Sequence, residues 1–424
     1  MNAAQATPVA SSAIATSDDV VSAAPPPIPA TEPSSIAYTY KRFPVTMVRG
    51  EGVTLFDDAG NAYLDCMSGI ATNALGYNDA GINAAIAEAL STGLIHLSNL
   101  FANDPAERLA TFLTTRTFAD KVFFCNSGVE AVEGAIKFAR RWGRSIDPDG
   151  AKHEIVAVRG SFHGRLGAAL AATDRAAYRM PFRPLTPGIT IAERDLGALA
   201  QVLSSATTAA VIIEPVQGEG GLRPVDHDFM RALRALTRER NILLILDEIQ
   251  CGLGRTGCFL AHEPIGIAPD IVTLAKPLAG GLPMGAILLT NAVADALKPG
   301  EHGTTFGGGP LVSHVALHVC RRLADPALLT HVREDGAWFG AQLQRLQRAH
   351  ACIRAVRGVG YMWGVDVTEP ASAVIERARA RGLLIISAGE HTLRILPPLV
   401  ATRADLARAI EILDLALRDV VTLA

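Results

Sequence analysis

Lys276 closes the apolar run Ile271-Val-Thr-Leu-Ala275, with Pro277 directly after it and Gly280-Gly281 just beyond. That pattern describes a buried strand that ends on an amine and then turns sharply away. Burial favours the neutral amine, and a neutral amine is a nucleophile toward carbonyls. A surface lysine capping a strand would look the same in isolation. The other apolar runs decide between the two. Phe124 is followed by Cys125-Asn126-Ser127-Gly128, and Val158 by Arg159-Gly160-Ser161-Phe162-His163-Gly164-Arg165. Ile213 leads into Glu214-Pro-Val-Gln-Gly-Glu219-Gly-Gly221, and Leu246 into Asp247-Glu248-Ile249-Gln250. Ligands of open parallel sheets sit beyond the carboxyl ends of the strands, where all these polar and Gly-rich residues fall.

The residue types converge on one kind of ligand. Ser127-Gly128 at the start of a helix offers backbone N–H groups, a hydroxyl and the helix dipole to a phosphate. Asp247 ends an apolar strand, where a carboxylate needs a cation, and a protonated pyridine nitrogen is such a partner. Phe162 offers an aromatic face to a flat ring. Singly, these are an N-cap serine, an arginine-paired aspartate and a core phenylalanine. Together with Lys276 they describe a site for pyridoxal 5'-phosphate (PLP), with the lysine as Schiff-base former and the pyridine as electron sink. A competing motif is Gly252-Leu-Gly254-Arg-Thr-Gly257, which matches G-x-G-x-x-G after a strand. A dinucleotide fingerprint must open a long helix, yet Pro264, Gly266 and Pro269 follow closely, so a nicotinamide enzyme is not expected.

These strand ends must be positioned by alternating elements. Strands are expected at 121–124, 154–158, 209–213, 242–246 and 271–275, with helices at 79–93, 104–116, 127–142, 195–205 and 227–240. Asp79 and Asp104 are placed as N-caps. This is an α/β pattern: a mostly parallel central sheet with helices on both faces. Beyond about residue 310 the rhythm changes to a smaller α+β C-terminal domain. It has helices at 311–323, 326–349, 370–381 and 402–422, and strands at 353–356, 361–367, 383–386 and 393–395. The chain therefore divides into a disordered tail (1–35), an N-terminal segment packing with the small domain (36–78), a large PLP-binding domain (79–310) and the small domain (311–424).

The 424 residues are 49% hydrophobic with a net charge of -3, which leaves no basic field for nucleic acid or an anionic membrane. No apolar run approaches the roughly 20 residues of a membrane span. The tail is Ala/Ser/Pro-rich and lacks the arginines of a transit peptide. The six cysteines are scattered without a C-x-x-C pair, which fits a reducing, cytoplasmic setting. His314 and His318 stand four apart without further ligands, so no metal is expected.

From about residue 40 to its end the chain resembles the class III aminotransferases of PLP fold type I. The resemblance rests on Ser68-Gly-Ile-Ala71, His96-Leu-Ser-Asn99, Asn126-Ser-Gly128, Phe162-His-Gly-Arg165, Glu214 to Gly221, Asp247-Glu-Ile-Gln250, Gly254-Arg-Thr-Gly257, Lys276 and His302-Gly-Thr-Thr-Phe-Gly307. His96-Leu-Ser-Asn99 and Leu393-Arg-Ile-Leu-Pro-Pro398 are similar, more narrowly, to the acetylornithine branch. The resemblance implies Lys276 as Schiff-base lysine and proton carrier, and Asp247 on the pyridine nitrogen. It puts Gln250 on the ring oxygen, Ser127, Gly128 and Val129 around the phosphate, and Phe162 on the ring. Thr305 would reach the phosphate of a neighbouring subunit, implying a homodimer. Arg165, Thr304 and Arg394 would face substrate, with Glu219 pairing Arg394 when no α-carboxylate is present. The implied reaction is transamination between N2-acetyl-L-ornithine and 2-oxoglutarate. Succinylornithine, ornithine, 4-aminobutyrate, a carrier-linked lysine, or an aminomutase of the glutamate-1-semialdehyde type stay open. Val129, Tyr77 and Thr304 depart from the residues usual at their places.

Overall fold

The computed structural model describes residues 35–418, so the tail read at 1–35 lies, Ser35 apart, outside the described residues, as do residues 419–424. Seven strands make the central sheet: β1 (Lys121–Cys125), β2 (Glu154–Val158), β3 (Ile189–Ala192), β4 (Thr208–Ile213), β5 (Leu243–Asp247), β6 (Ile271–Leu274) and β7 (Gly285–Leu289). Their order across the sheet is β1-β7-β6-β5-β4-β2-β3. The ladders from β6 to β3 are parallel, whereas β7 runs antiparallel to both β6 and β1. Only residues 275–284 join β6 to β7. That is too short for a parallel crossover, so the chain folds straight back.

The alternation of side chains along the strands builds two cores. Ile155, Ala157, Ile212, Ile245 and Ile287 pack with Ala135, Ile136 and Phe138 of the Gly128–Ile146 helix on one face. Val156, Val158, Val211, Leu244 and Leu246 join Leu199, Met230 and Leu233 on the other. Every residue of β4 and β5 is buried, the mark of a strand covered on both faces. Each fully buried aliphatic side chain contributes about 1.5–3 kcal/mol, which fixes the platform whose carboxyl edge carries the site.

Several boundaries differ from expectation. The helix Asp104–Arg116 is capped by Asn103, whose side chain accepts from the Ala106 amide, not by Asp104. Asn103 has the extended backbone a cap needs, while Asp104 already lies in the first turn, where its charge still suits the dipole. The helix Pro310–Leu323, expected to open the C-terminal unit, packs instead on Ala80–Ser91, Asp104–Arg116 and the turn after Lys276. The run expected as one strand at 383–386 divides. Leu383–Leu384 adds a parallel strand to the N-terminal sheet beside Ala62–Asp65, and Ile386–Ser387 pairs with Thr392–Ile395.

Gly252–Gly257 forms turns followed by only a one-turn 3-10 helix, Glu263–Ile265, as the prolines behind it required. At its centre Arg255 is buried, and it donates to the carbonyls of Tyr361 and Pro397 and to the Ser68 hydroxyl. Burial pushes its pKa down to about 9. It joins the N-terminal segment, the large sheet and the C-terminal unit at one point.

Candidate active site

A cavity of ≈ 520 Å³ opens at the carboxyl ends of β1, β2, β4, β5 and β6. Among the residues expected at the site, Ser127, Gly128, Val129, Phe162, Arg165, Glu219, Asp247, Gln250 and Lys276 line it. Arg394, from the Thr392–Ile395 strand, reaches it through hydrogen bonds to Glu219 and Gln250. Thr304 and Thr305 are not brought to this cavity. Thr304 lines a separate one, where its hydroxyl accepts from Asn126 Nδ2 at 2.9 Å, and Thr305 is exposed. Their loop runs beside β1, where Gly307 closely approaches the Phe124 carbonyl.

Lys276 opens a one-turn 3-10 helix, Lys276–Ala279, directly behind β6. Burial holds its ammonium pKa below the ordinary lysine value, and Arg394 pushes the same way against the opposing pull of Glu219, Asp247 and Glu214. The amine is thus poised toward its neutral, nucleophilic form.

Asp247 is held by donors from three segments. His163 Nδ1 donates to Oδ2 at 2.7 Å, while Thr273 Oγ1 and the Ile249 amide each donate to Oδ1 at 3.1 Å. A carboxylate only accepts, so Nδ1 carries the hydrogen, and His163 Nε2 is left buried without a partner. The sequence marks His163 only as a neighbour of Phe162; its partnership with Asp247 spans the ends of β2 and β5 and has no local signal. Glu214 was also missed as a site residue. Its two oxygens accept from the Phe162 amide at 2.9 Å and the Gly218 amide at 3.1 Å. Ile249 and Tyr40 are further lining residues that spacing could not reveal.

At the phosphate end, Ser127 caps the Gly128–Ile146 helix by accepting from the Glu130 amide. Glu130 Oε2 returns to the Asn126 amide at 2.7 Å, a reciprocal cap. The amides of Gly128 and Val129 belong to the first turn, where a helix has no acceptor for them. A Cβ on Gly128 would stand 2.9 Å from Ile249, and one on Gly164 would stand 2.4 Å from Val129 Cγ2. Val129 thus turns its branched side chain onto Gly164 and leaves its backbone to the cavity. Tyr77, another departure, donates to the buried Asp65 at 2.6 Å and does not line the cavity.

At the opposite end Arg394 is buried, with Nη1 2.5 Å from Glu219 Oε1 and Nη2 3.2 Å from the Ser387 carbonyl. Arg165 is exposed, its guanidinium 4.5 Å over the Tyr178 ring. The cavity thus combines an amine, a buried carboxylate, free helix amides and an arginine already engaged by a removable carboxylate. These residues fit PLP: amides for its phosphate, Asp247 for its ring nitrogen, Phe162 and Ile249 as apolar walls, and Lys276 for its aldehyde.

Residues 35–417 match the family described as Aminotransferase class-III, and the chain belongs to that family. The mitochondrial acetylornithine aminotransferase of Alnus glutinosa is 45% identical over 379 residues, covering 88% of this chain and 84% of that protein. Among solved structures, the N-acetylornithine aminotransferase of Stenotrophomonas maltophilia is similar with a TM-score of 0.80 at 34% identity, covering 91% of this chain and 98% of its own. An ornithine aminotransferase of Toxoplasma gondii, described with PLP at partial occupancy in its active site, has a TM-score of 0.87 at 31% identity, covering 92% of each chain. PLP is the cofactor of this aminotransferase.

Proposed function

We propose that this chain transfers the 5-amino group of N2-acetyl-L-ornithine to 2-oxoglutarate, giving N-acetyl-L-glutamate 5-semialdehyde and L-glutamate, a step of arginine synthesis. The observation that carries the proposal is the Arg394–Glu219 pair beside Lys276. One pocket must accept an ω-amine in one half-reaction and an α-amino acid in the other. With Glu219 on Arg394, the arginine is neutralised and an ω-amine can lie alongside. With Glu219 displaced, Arg394 is free to take an α-carboxylate through a charge-assisted, two-pronged contact. Arg165, at the mouth, is placed to take the second carboxylate of 2-oxoglutarate.

When bound, PLP supplies an aldehyde and an electron sink for the chemistry at the amine-bearing carbon. The chain's own residues do the rest. Asp247, braced by His163, Thr273 and Ile249, supplies a fixed negative charge for a protonated ring nitrogen. Gln250 offers its amide to the ring oxygen. Ser127, Gly128 and Val129 orient the phosphate. Lys276 Nζ takes the proton from the amine-bearing carbon of the donor and, in the second half-reaction, gives one to the carbonyl carbon of 2-oxoglutarate, transfers that burial-lowered basicity favours near neutral pH.

A homodimer is part of this proposal. Leu94, Ile95, Leu100, Phe101 and Phe306 are exposed, Leu100 at 91%. Such a patch on the Thr304–Thr305 side supports a second copy docking there and Thr305 reaching its phosphate site. The six cysteines are free thiols, which supports a reducing compartment, and we place the enzyme in the cytoplasm. Among the described residues no helix is long and apolar enough to cross a membrane. The likeness to ornithine aminotransferase makes free ornithine the second donor to consider. A donor panel with 2-oxoglutarate tests the assignment: acetylornithine should give the highest kcat/KM. A lead for ornithine or 4-aminobutyrate overturns it.

A further inference from the structure

We propose that Glu214 is a positioning residue for transamination: one carboxyl group clasps the turn bearing Phe162 and His163 to the turn bearing Gly218 and Glu219. The imidazole that braces Asp247 and the carboxylate that screens Arg394 then keep a fixed relative placement. The inference rests on the PLP site described above and concerns a residue with no role in it so far.

The geometry is specific. Glu214 stands directly after β4, at the centre of the sheet's carboxyl edge, and is buried. Oε1 accepts from the Phe162 amide, which belongs to the turn after β2. Oε2 accepts from the Gly218 amide, the residue before Glu219. The first turn also places His163 against Asp247, and the second carries the carboxylate engaged by Arg394. Gln217, on the second turn, adds a further tie by donating to the Arg159 carbonyl of the first at 2.8 Å.

Glu214 has charged and titratable neighbours on every side that packs against it. His163 comes from the turn after β2, Asp247 and Cys251 from the end of β5, and Lys276 from the end of β6. Burial pushes its carboxyl up to about 7; His163 pulls it down and the negative charge of Asp247 raises it further. The clasp therefore has two states close to neutral pH. Above that range the carboxylate accepts both amides. Below it the carboxyl gains a proton, one oxygen becomes a donor, and one of the two amide bonds weakens. The sense is fixed: the clasp is tight at higher pH and loosens as pH falls through about 7.

Glu214→Gln tests this, because an amide of the same size has one accepting oxygen at every pH. In the wild type, kcat/KM for the 2-oxoglutarate half-reaction should fall by about three- to tenfold on the acid side of a limb near pH 7, the worth of one hydrogen bond. Glu214→Gln should sit at the low value throughout, with no such limb, while binding PLP. A second readout uses the unaltered protein, with and without PLP. Hydrogen–deuterium exchange protection of the segment containing Gly218, corrected for intrinsic exchange, should rise between pH 6 and 8. A Glu214→Gln enzyme that keeps the limb at the same midpoint overturns the proposal. Should that variant not fold, pH-independent protection at Gly218 in the wild type overturns it equally. Failure of the PLP assignment is a separate result: the wild type would take up no PLP, whatever the exchange data show.

Discussion

The two ends of the cavity are built on opposite terms. At the ring end Asp247 is held by three donors from three segments, and Glu130 and Ser127 lock the helix opening reciprocally. At the substrate end Arg394 leans on one carboxylate, which sits on a turn, and Arg165 rests over a tyrosine ring in the open. A cofactor that stays needs charges that cannot move. Two substrates that alternate need a charge that can be covered and uncovered. The difference teaches that burial alone does not rank these residues: Arg394 and Asp247 are both buried, but Asp247 is braced by three fixed donors with room left on Oδ2 for a ring nitrogen, whereas Arg394 leans on a carboxylate that sits on a turn.

Four substitutions test this contrast, the largest effect first. Lys276→Ala should remove transamination by about 10⁴-fold or more, because nucleophile and proton carrier leave together. Loss of the visible absorbance of bound PLP checks it, and an active variant breaks the whole scheme. Asp247→Asn should lower kcat of both half-reactions alike, by about 10²–10³-fold, since the ring end serves both. Single-turnover rates measured for each half-reaction show whether the loss is shared. Arg394→Ala should act unequally, raising KM for 2-oxoglutarate by about 10²-fold through loss of a buried charged contact. Its effect on the acetylornithine half-reaction should be smaller, and equal losses in the two would erase the distinction between the ends. Glu219→Gln should give the mildest change, about tenfold or less and confined to the ω-amine half-reaction, because Arg394 then goes unscreened. Steady-state kinetics with the donor varied at fixed acceptor reads it directly.

What could be read from sequence follows from the range of the signal. The five strands that carry the site are continuous apolar runs, and the residue types at their polar ends are enough to make the cofactor legible. β3 and β7 were not anticipated. Ile189–Ala192 is short and leaves Thr190 exposed, and Gly285–Leu289 follows Gly280, Gly281 and Pro283, which read as loop. Its antiparallel direction comes from the brevity of the connection, a property of packing and not of composition. Lys276, Asp247 and the Ser127 cap are local features and stood out. His163 and Glu214 act across neighbouring strands, so their partners appear only when β2, β4 and β5 lie side by side. Thr304 and Thr305 were drawn to the site by resemblance alone, and within one chain they stand outside the cavity.

Arg255 gives the molecule an order of assembly. Its guanidinium needs Ser68, Tyr361 and Pro397, segments drawn from nearly the whole length of the chain. Leu383–Leu384 likewise completes the sheet of Met47–Glu51, Thr54–Asp57 and Ala62–Asp65. During synthesis Ala62–Asp65 therefore keeps one edge unpaired until Leu383–Leu384 has been made. Such distant closures fold slowly and leave an open sheet edge in the meantime. A chain stopped short of Leu383 would lose its beginning as well as its end.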